Sequence, residues 1–311
     1  LLIINGLLLA VGSSGIPLIM RLYFIHGGKM LWFASWLQTS AFPLILIPLL
    51  FNHLRRTTTT AARFFSINRK LSAAAAAIGI AIGFNNYLYA YGSSKLPVST
   101  SSLIFSTQLI FTALFSFLLV KHKFTAYSIN AIVLLTVGAV ILSFHSSAKD
   151  ESDRDYEFGF AVTVTAVALS GLIQPLMELC YLKSDQAVDG VVALEFQFVL
   201  SSFATGFCTV GMLMGKDFEG ISGEAKGFEI GAVNYILTVF FTAVVSQCFF
   251  LGSVGVIHLS SALLAGVIIC ASLPLCEILA VVLFREKFRP EKGVSLLLSL
   301  WGSVSYFYGE F

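Results

Sequence analysis

The chain has 311 residues, of which 57% are hydrophobic and only 12% are charged, and its mean hydropathy is +0.87. Soluble globular proteins are typically about 45–50% apolar and about 25% charged, so this composition predicts a polytopic membrane protein. It excludes a secreted disulfide scaffold, a disordered regulator and a nucleic-acid binder, and the net charge of +2 gives no sign of a polyanionic partner. Because the sequence begins at Leu1 rather than at a methionine, we expect an N-terminal segment to have preceded it.

Ten apolar segments are long enough to cross a bilayer, whose hydrocarbon core requires about 20 apolar residues in a helix. Their apolar runs are continuous, which favours helices over the short alternating strands of a membrane barrel. No connection is long enough to form a soluble domain. The sequence therefore predicts an all-α membrane protein with spans at about residues 3–23, 31–53, 71–92, 99–120, 125–145, 158–182, 188–214, 229–254, 258–284 and 291–308.

Two stretches of the chain, about 160 residues apart, look alike. In each, a Ser-containing segment is followed by an apolar run, a short basic segment and one last span. The matching segments are 97–103 with 121–124, and 258–262 with 285–288. We therefore expect two five-helix repeats, residues 1–145 and 158–311, joined by the acidic linker 146–157.

The distribution of Lys and Arg indicates that the two repeats are inverted. These residues concentrate between spans 2 and 3 and spans 4 and 5 in the first half, but between spans 7 and 8 and spans 9 and 10 in the second. Five spans separate the basic connection between spans 4 and 5 from the one between spans 9 and 10, so the two lie on opposite faces of the membrane. The positive-inside rule, which places basic connections in the cytoplasm, therefore cannot hold for both halves. Inverted repeats are typical of secondary transporters, whose substrate site lies at the midplane between them. Following the first half, we expect both termini in the cytoplasm.

Three carboxylates, Glu178, Glu195 and Glu277, lie inside the predicted spans. A charge at the bilayer centre costs about 2.5–3.5 kcal/mol on insertion scales, so such groups normally face a cavity or the bundle interior. Glu178 is the first candidate for proton coupling, because Gln174 and Pro175 lie beside it in one helix. The alternative is that each glutamate is hydrogen-bonded and ties helices together.

Seven side-chain amides also fall within the spans. Each offers a donor and an acceptor, which suits a neutral heterocycle that carries ring nitrogens and an exocyclic amine. The alternative is hydrogen bonding between helices, which contributes about 0.6 kcal/mol on average. The amides are Gln38, Asn85, Asn86, Gln108, Gln174, Gln197 and Gln247.

Aromatic residues stand close to two of these amide positions. Trp36 lies near Gln38, and Tyr89 belongs to the tyrosine run that follows Asn85 and Asn86. Aromatic walls suit planar ligands. No Lys or Arg lies in the middle of a span, which argues against a phosphorylated substrate, since such a substrate needs a fixed cation in its cavity.

No sequence pattern indicates an enzyme, a cofactor or a metal site. The segment 12–15 matches part of a serine-protease motif, but no His lies at membrane depth to act as its base. We interpret it, together with Gly79 and Gly83, as small residues for close helix packing. The five cysteines lack the spacing of metal ligands, and we expect them to be reduced packing residues.

Six segments carry a likeness to a known family. They are 34–39 (ASWLQT), 83–91 (GFNNYLYAY), 96–103 (LPVSTSSL), 171–176 (GLIQPL), 195–197 (EFQ) and 301–310 (WGSVSYFYGE). Together they resemble the plant purine permease family, within the drug/metabolite transporter superfamily. The resemblance implies ten helices in two inverted repeats, and proton-coupled uptake of adenine, cytokinins and related purine derivatives.

We therefore expect a multi-pass protein of the plasma membrane with a polar cavity lined by spans 1–4 and 6–9. Its partners would be a purine or cytokinin substrate, protons and the lipid bilayer. Two alternatives remain: a receptor or scaffold that binds a purine-like ligand without moving it, and a facilitator of another small neutral metabolite. The expected substrate-binding residues are Trp36, Gln38, Asn85, Asn86, Tyr89, Gln108, Gln174 and Gln247, and the expected proton-coupling residues are Glu178, Glu195 and Glu277.

Overall fold

The computed structural model describes residues 1–56, 65–95, 104, 107–143, 153–284 and 290–310. These residues are helical and contain no strand, which confirms the predicted all-α class. The helices are α1 (Leu2–Ile25), α2 (Leu31–Ser40), α3 (Leu46–Arg56), α4 (Arg69–Lys95), α5 (Gln108–Phe115), α6 (Ala126–Ser143), α7 (Asp153–Leu182), α8 (Gly190–Gly215), α9 (Asp217–Gly227), α10 (Ala232–Leu259), α11 (Ala262–Phe284) and α12 (Pro290–Glu310).

Many of these helices are apolar and long enough to cross a membrane, so the chain is a multi-pass membrane protein. The segments long enough to span are Leu2–Ile25, Leu31–Leu54, Arg69–Gly92, Glu157–Leu182, Gly190–Gly215 and Ala232–Leu259. Shorter apolar helices are Gln108–Val120, Ala126–Gly138 and Ala262–Cys276. Each lies at the place of a predicted span, and α12 lies at the place of the last one. The full number of ten crossings stays a prediction.

The second predicted span is not one continuous α-helix. α2 ends at Ser40, a 3₁₀ turn covers Phe42–Ile45, and α3 begins at Leu46. Pro43 stands at the start of this turn. A proline has no backbone N–H to donate and is tolerated in the first turn of a helix, so the break falls where this residue costs least.

Two predicted boundaries are wrong. The eighth span was expected to end at 254, but α10 continues to Leu259. The next helix begins only at Ala262, because the Ser261 hydroxyl accepts the Leu264 N–H at 3.2 Å and so forms its N-terminal cap. The helix α7 begins at Asp153, inside the predicted linker, but its apolar part, Glu157–Leu182, agrees with the predicted span. The segments 97–103 and 285–288 used to predict the repeat lie outside the described residues.

Hydrogen bonds between distant connections show which helix ends lie together. Beside α9, which the sequence analysis did not predict, the Glu229 N–H donates to the carbonyl oxygen of His26 at 3.2 Å. We call this the α9 end of the bundle. On the opposite side the Asn68 N–H, before α4, donates to Gln186 Oε1 at 2.8 Å, between α7 and α8. We call this the Asn68 end.

Helices from the two predicted halves pack against each other throughout the bundle. α1 packs on α10, α4 packs on both α7 and α8, and α6 packs on α12. Gly12 of α1 lies directly against the Phe249 backbone of α10, which confirms the packing interpretation of segment 12–15. The division into repeats 1–145 and 158–311 stays a prediction, and the two parts share extensive helix interfaces.

Two glycines on one face of α4 allow this helix to approach α8. A Cβ atom added to Gly79 would overlap the Leu200 carbonyl oxygen, and one added to Gly83 would lie 2.9 Å from the Ala204 carbonyl oxygen. Small residues allow helix backbones to approach closely in membranes. The packing role predicted for these two glycines is therefore confirmed.

We predict that Gly79→Ala destabilises the protein by about 1–3 kcal/mol, the usual effect of overpacking. The matched control is Gly206→Ala, because nothing lies within 4 Å of the methyl group that this change adds to α8. Alanine favours a helix over glycine by about 0.8–1.0 kcal/mol, so the control should keep or raise the thermal unfolding midpoint in detergent. Equal midpoints for the two variants would contradict the close α4–α8 contact.

Candidate functional site

The helices α2, α4, α8 and α10 pack against one another in pairs, and each carries a buried amide. α2 packs on α4, α8 and α10, while α8 also packs on α4 and α10. The amides are Gln38 of α2, Asn86 of α4, Gln197 of α8 and Gln247 of α10, and each has less than a tenth of its surface exposed. We call this set the four-amide cluster.

Members of the four-amide cluster have polar atoms without a hydrogen-bond partner among the described residues. These atoms are Gln38 Nε2, Asn86 Nδ2 and both the oxygen and the nitrogen of the Gln197 and Gln247 amides. A buried polar group left unpaired costs about 1–3 kcal/mol. The cluster therefore offers donors and acceptors to a polar ligand that enters the bundle.

Helix geometry shows where two of these amides point. α1 packs against α10 at Val245, Phe249 and Gly252. Gln247 lies about 160° around the helix from Phe249, so it faces away from α1 and toward the bundle interior. Gln197 lies one turn before Leu200, which contacts α4, so it belongs to the α4-facing side of α8.

A second polar patch lies between α4 and α7. The Asn85 amide nitrogen donates to the Ser170 hydroxyl at 2.9 Å, while its oxygen has no partner among the described residues. Gln174, one turn further along α7, is buried and its Oε1 is likewise unpartnered in the described chain. Gln108 begins α5 and is half-buried, as is Tyr89 on α4.

Two tryptophans of α2 contact neighbouring helices. The Trp36 indole N–H donates to the Thr209 hydroxyl at 3.0 Å, which fixes the ring between α2 and α8. The sequence analysis did not single out Trp32, whose ring stacks on Tyr87 with centroids 3.9 Å apart and planes at 18°. This pair joins α2 to α4 close to the α9 end. The contact depends on how the two helices pack, so the sequence alone does not indicate it.

The glutamates hold backbone groups near the Asn68 end. Glu178, 8% exposed, accepts the Ala262 N–H at 2.7 Å, at the first residue of α11. Glu195, 1% exposed, accepts the N–H groups of Ser66 and Ile67, just before α4, at 2.7–3.0 Å. The first N–H groups of a helix have no acceptor within the helix, and the helix dipole favours a negative charge there, so a carboxylate binds them well.

Two of these carboxylates lie toward one end of their helices. α7 ends at Leu182, about one turn beyond Glu178, and Glu195 lies in the second turn of α8. Both therefore lie near the Asn68 end rather than at the centre of their spans. Glu277 belongs to α11, and its side chain lies outside the described part of the structure.

Carboxylates of α9 connect the second half of the chain to the first at the α9 end. Glu224 accepts hydrogen bonds from the Tyr23 hydroxyl, from the Tyr235 hydroxyl at 3.3 Å and from the Lys29 N–H at 3.0 Å. We call this set of contacts the α9 latch. Sequence reasoning missed it because α9 is short and two of its partners, Tyr23 and Lys29, lie about 200 residues earlier in the chain.

Asp217, the first residue of α9, adds one further contact to the α9 latch. Its carboxylate accepts the Phe33 N–H at 3.0 Å. Partial burial, with the negative Glu224 nearby, raises the pKa of the Asp217 carboxyl, although the hydrogen bond from Phe33 opposes this shift.

The Asn68 end is closed by a comparable set of contacts between the halves. Besides the hydrogen bond from Asn68 to Gln186, the Lys70 ammonium lies 2.7 Å from the Asp185 carboxylate. Lys70 holds the pKa of Asp185 below its usual value, but the pair is largely exposed and contributes little to stability. The buried contacts at this end are the hydrogen bonds that the Glu195 carboxylate accepts from Ser66 and Ile67.

The described residues contain no group of three or more His, Cys, Asp or Glu placed to hold a metal ion. The five cysteines form no disulfide bond. A groove of about 180 Å³ between α1, α11 and α12 is lined mainly by apolar side chains, including Val267, Ile268 and Phe307. It offers few polar groups to a heterocycle, in contrast with the four-amide cluster.

Comparison with known proteins identifies the family. The family model for purine nucleobase transmembrane transport matches residues 1–311. Purine permease 3 of Arabidopsis thaliana is 47% identical over 317 residues, which cover 100% of this chain and 90% of that protein. Purine permease 2 of the same plant is 48% identical over 328 residues, which cover 100% of this chain and 92% of that protein.

One solved crystal structure shares the fold, with a TM-score of 0.71 at 13% sequence identity over 98% of this chain and 96% of the other. The relatives are named as permeases, which are transporters and not enzymes. Since both the family model and the two plant proteins match this sequence from end to end, the chain belongs to the purine permease family.

Proposed function

We propose that this protein imports purine bases and their derivatives, such as adenine and cytokinins, by proton-coupled alternating access. The four-amide cluster is the observation that carries the proposal, because it presents unpaired donors and acceptors inside an apolar bundle. A neutral base with ring nitrogens and an exocyclic amine complements such groups. Lys and Arg lie near the ends of the described helices, which suits a substrate without phosphate.

The positions of two cluster residues support an inverted repeat. Gln38 lies seven residues after the start of α2, and Gln197 lies seven residues after the start of α8. α2 begins at the α9 end, whereas α8 begins at the Asn68 end, so the two amides occupy equivalent places in opposite orientation. Transporters with inverted repeats bind substrate between the repeats.

Contacts that can open at either end support alternating access. The α9 latch closes one end through Glu224 and Asp217, and Glu195 with the Lys70–Asp185 pair closes the other. In both places the contacts join parts of the chain that belong to different predicted halves. With both termini in the cytoplasm of a plant cell and the protein in the plasma membrane, the α9 end faces outward.

Proton coupling is assigned first to Glu178. Its carboxylate is buried and accepts a hydrogen bond from the Ala262 N–H. Protonation weakens a carboxylate as an acceptor, so it would release the start of α11. Glu195 holds backbone groups in the same way and is the second candidate, and Glu277 is the third.

Transport is tested by uptake of labelled adenine and of a cytokinin base into proteoliposomes, with and without an inward proton gradient. Each elementary charge is worth about 2.3 kcal/mol per 100 mV, so one proton per neutral base supports more than ten-fold accumulation. We expect accumulation only with the gradient. Binding without uptake would contradict transport and identify a receptor, and uptake without accumulation would identify a facilitator.

We predict that Glu178→Gln keeps substrate binding and exchange but loses proton-driven accumulation, because glutamine imitates the protonated carboxyl group. Concentrative uptake at an outer pH of about 5.5 is compared with exchange at equal pH. The control is Glu219→Gln, which changes an exposed carboxylate of α9. If the Gln variants at Glu178, Glu195 and Glu277 all accumulate adenine as the wild type does, these carboxylates do not couple transport to protons.

A further prediction concerns the α9 latch. Glu224→Ala removes the shared acceptor of Tyr23 and Lys29, and hydrogen bonds to charged groups contribute about 1.5–3 kcal/mol each. In a Thr209→Cys background, we expect a membrane-impermeant maleimide to label the cysteine about ten-fold faster or more.

The control for this experiment is Glu229→Ala, because Glu229 is also at the α9 end but its carboxylate is largely exposed and lies beside the half-buried His26 ring. Its labelling rate should match that of the Thr209→Cys parent. If removal of Glu224 leaves the rate unchanged as well, the latch does not close this end.

A further inference from the structure

Trp32, in the first turn of α2, contacts both α4 and α8. Its indole stacks on the Tyr87 ring of α4, with centroids 3.9 Å apart and planes at 18°. On α8, a Cβ atom added to Gly211 would overlap the same indole, and one added to Gly215 would lie 3.2 Å from it. The two glycines are one turn apart, so they leave a gap on one face of α8 that the ring fills. We call Tyr87, Gly211 and Gly215 the Trp32 seat.

The Trp32 seat joins the two predicted halves of the chain at the α9 end. Tyr87 belongs to the first half and the glycines to the second, and Gly215 is the last residue of α8 before α9 begins at Asp217. The Asp217 carboxylate accepts the N–H of Phe33, the residue next to Trp32, at 3.0 Å. The start of α2 is therefore fixed to α8 and α9 by a seated ring and by a hydrogen bond, side by side.

The chain break after α2 allows this helix to move separately from α3. At the end of α2 the Ser40 hydroxyl donates to the Leu37 carbonyl at 3.1 Å, so this end is satisfied without α3. The 3₁₀ turn Phe42–Ile45 follows, and both this turn and α3 pack on α8. Hinges are typically a few residues at the ends of elements, which absorb the change in backbone angles.

We propose that Trp32 is the positioning residue that sets the closed state of the α9 end, an inference that rests on the alternating access of the proposed function. The indole occupies its seat when this end is closed, and it leaves the seat when α2 swings outward about residues 41–45. A tryptophan that only fills space would stabilise the states open at either end equally and would not shift their populations.

The first test is Trp32→Ala in the full-length protein, with two cysteine reporters labelled by a water-soluble maleimide in detergent, where the reagent reaches both ends. Thr209→Cys reports on the α9 half of α8, and Ala193→Cys replaces a buried residue near the Asn68 end. We expect labelling to become about ten-fold faster at the first reporter and several-fold slower at the second, because molecules open at one end are withdrawn from the state open at the other. General loosening of the fold would accelerate both.

Two glycines of α8 provide a matched pair for the second test. Gly211→Ala places a methyl group where the indole lies, so it should change the two labelling rates in the same directions as Trp32→Ala. Gly206→Ala, with nothing within 4 Å of the added atom, should leave both rates unchanged. In a Trp32→Ala background, Gly211→Ala should add little, because the methyl group enters vacated space.

Trp32→Phe keeps a ring beside Tyr87 and should give rates between those of the parent and of Trp32→Ala. With Gly211→Ala, it also decides the matter if Trp32→Ala does not fold. Rates that stay unchanged, or that rise equally at both ends, would overturn the inference.

Labelling requires no substrate, so the inference and the proposed function can fail separately. Uptake of adenine by the wild type with unchanged labelling in the variants would overturn only the role of Trp32. Opposite changes at the two reporters without adenine uptake would support that role and contradict purine import.

Discussion

Unpaired amides inside an apolar helix bundle are the constraint on which this account depends. Each of α2, α4, α8 and α10 contributes one buried amide with at least one atom that lacks a partner in the described chain. At about 1–3 kcal/mol for each unpaired group, the cluster lowers the stability of the protein without ligand. A ligand that satisfies these groups recovers that free energy on binding, so the cost to folding becomes a source of affinity.

The two ends of the bundle are held by a different kind of contact. At the centre of the α4–α8 interface, glycines bring backbones together and any added atom must displace a helix. At the ends, carboxylates such as Glu195 and Glu224 accept backbone N–H and tyrosine hydroxyl groups. Such hydrogen bonds can be exchanged for water when a helix end moves, whereas close glycine packing cannot. The fold thus combines a tightly packed middle with ends that can open.

Much of the fold could be predicted because hydropathy is a local property of the sequence. The helices at the predicted spans and the packing role of Gly79 and Gly83 follow from residue type and spacing alone. The burial of Gln174 and Gln247 was also expected. The place of Glu178 one turn before the end of its helix was expected too, because the predicted span and α7 both end at residue 182.

Other parts of the candidate site depend on residues far apart in the chain. The partners of Glu195 lie almost 130 residues earlier, and α9 has too little apolar sequence to be recognised as an element that packs on α2 and α10. Nothing in the sequence distinguishes Gln197 from six other amides; only the hydrogen-bond pattern around it does.

The most direct test of the central claim is an experimental structure determined with adenine bound. The account predicts the base between α2, α4, α8 and α10, hydrogen-bonded to Gln197 and Gln247; adenine bound elsewhere, with these amides still unpaired, would contradict it.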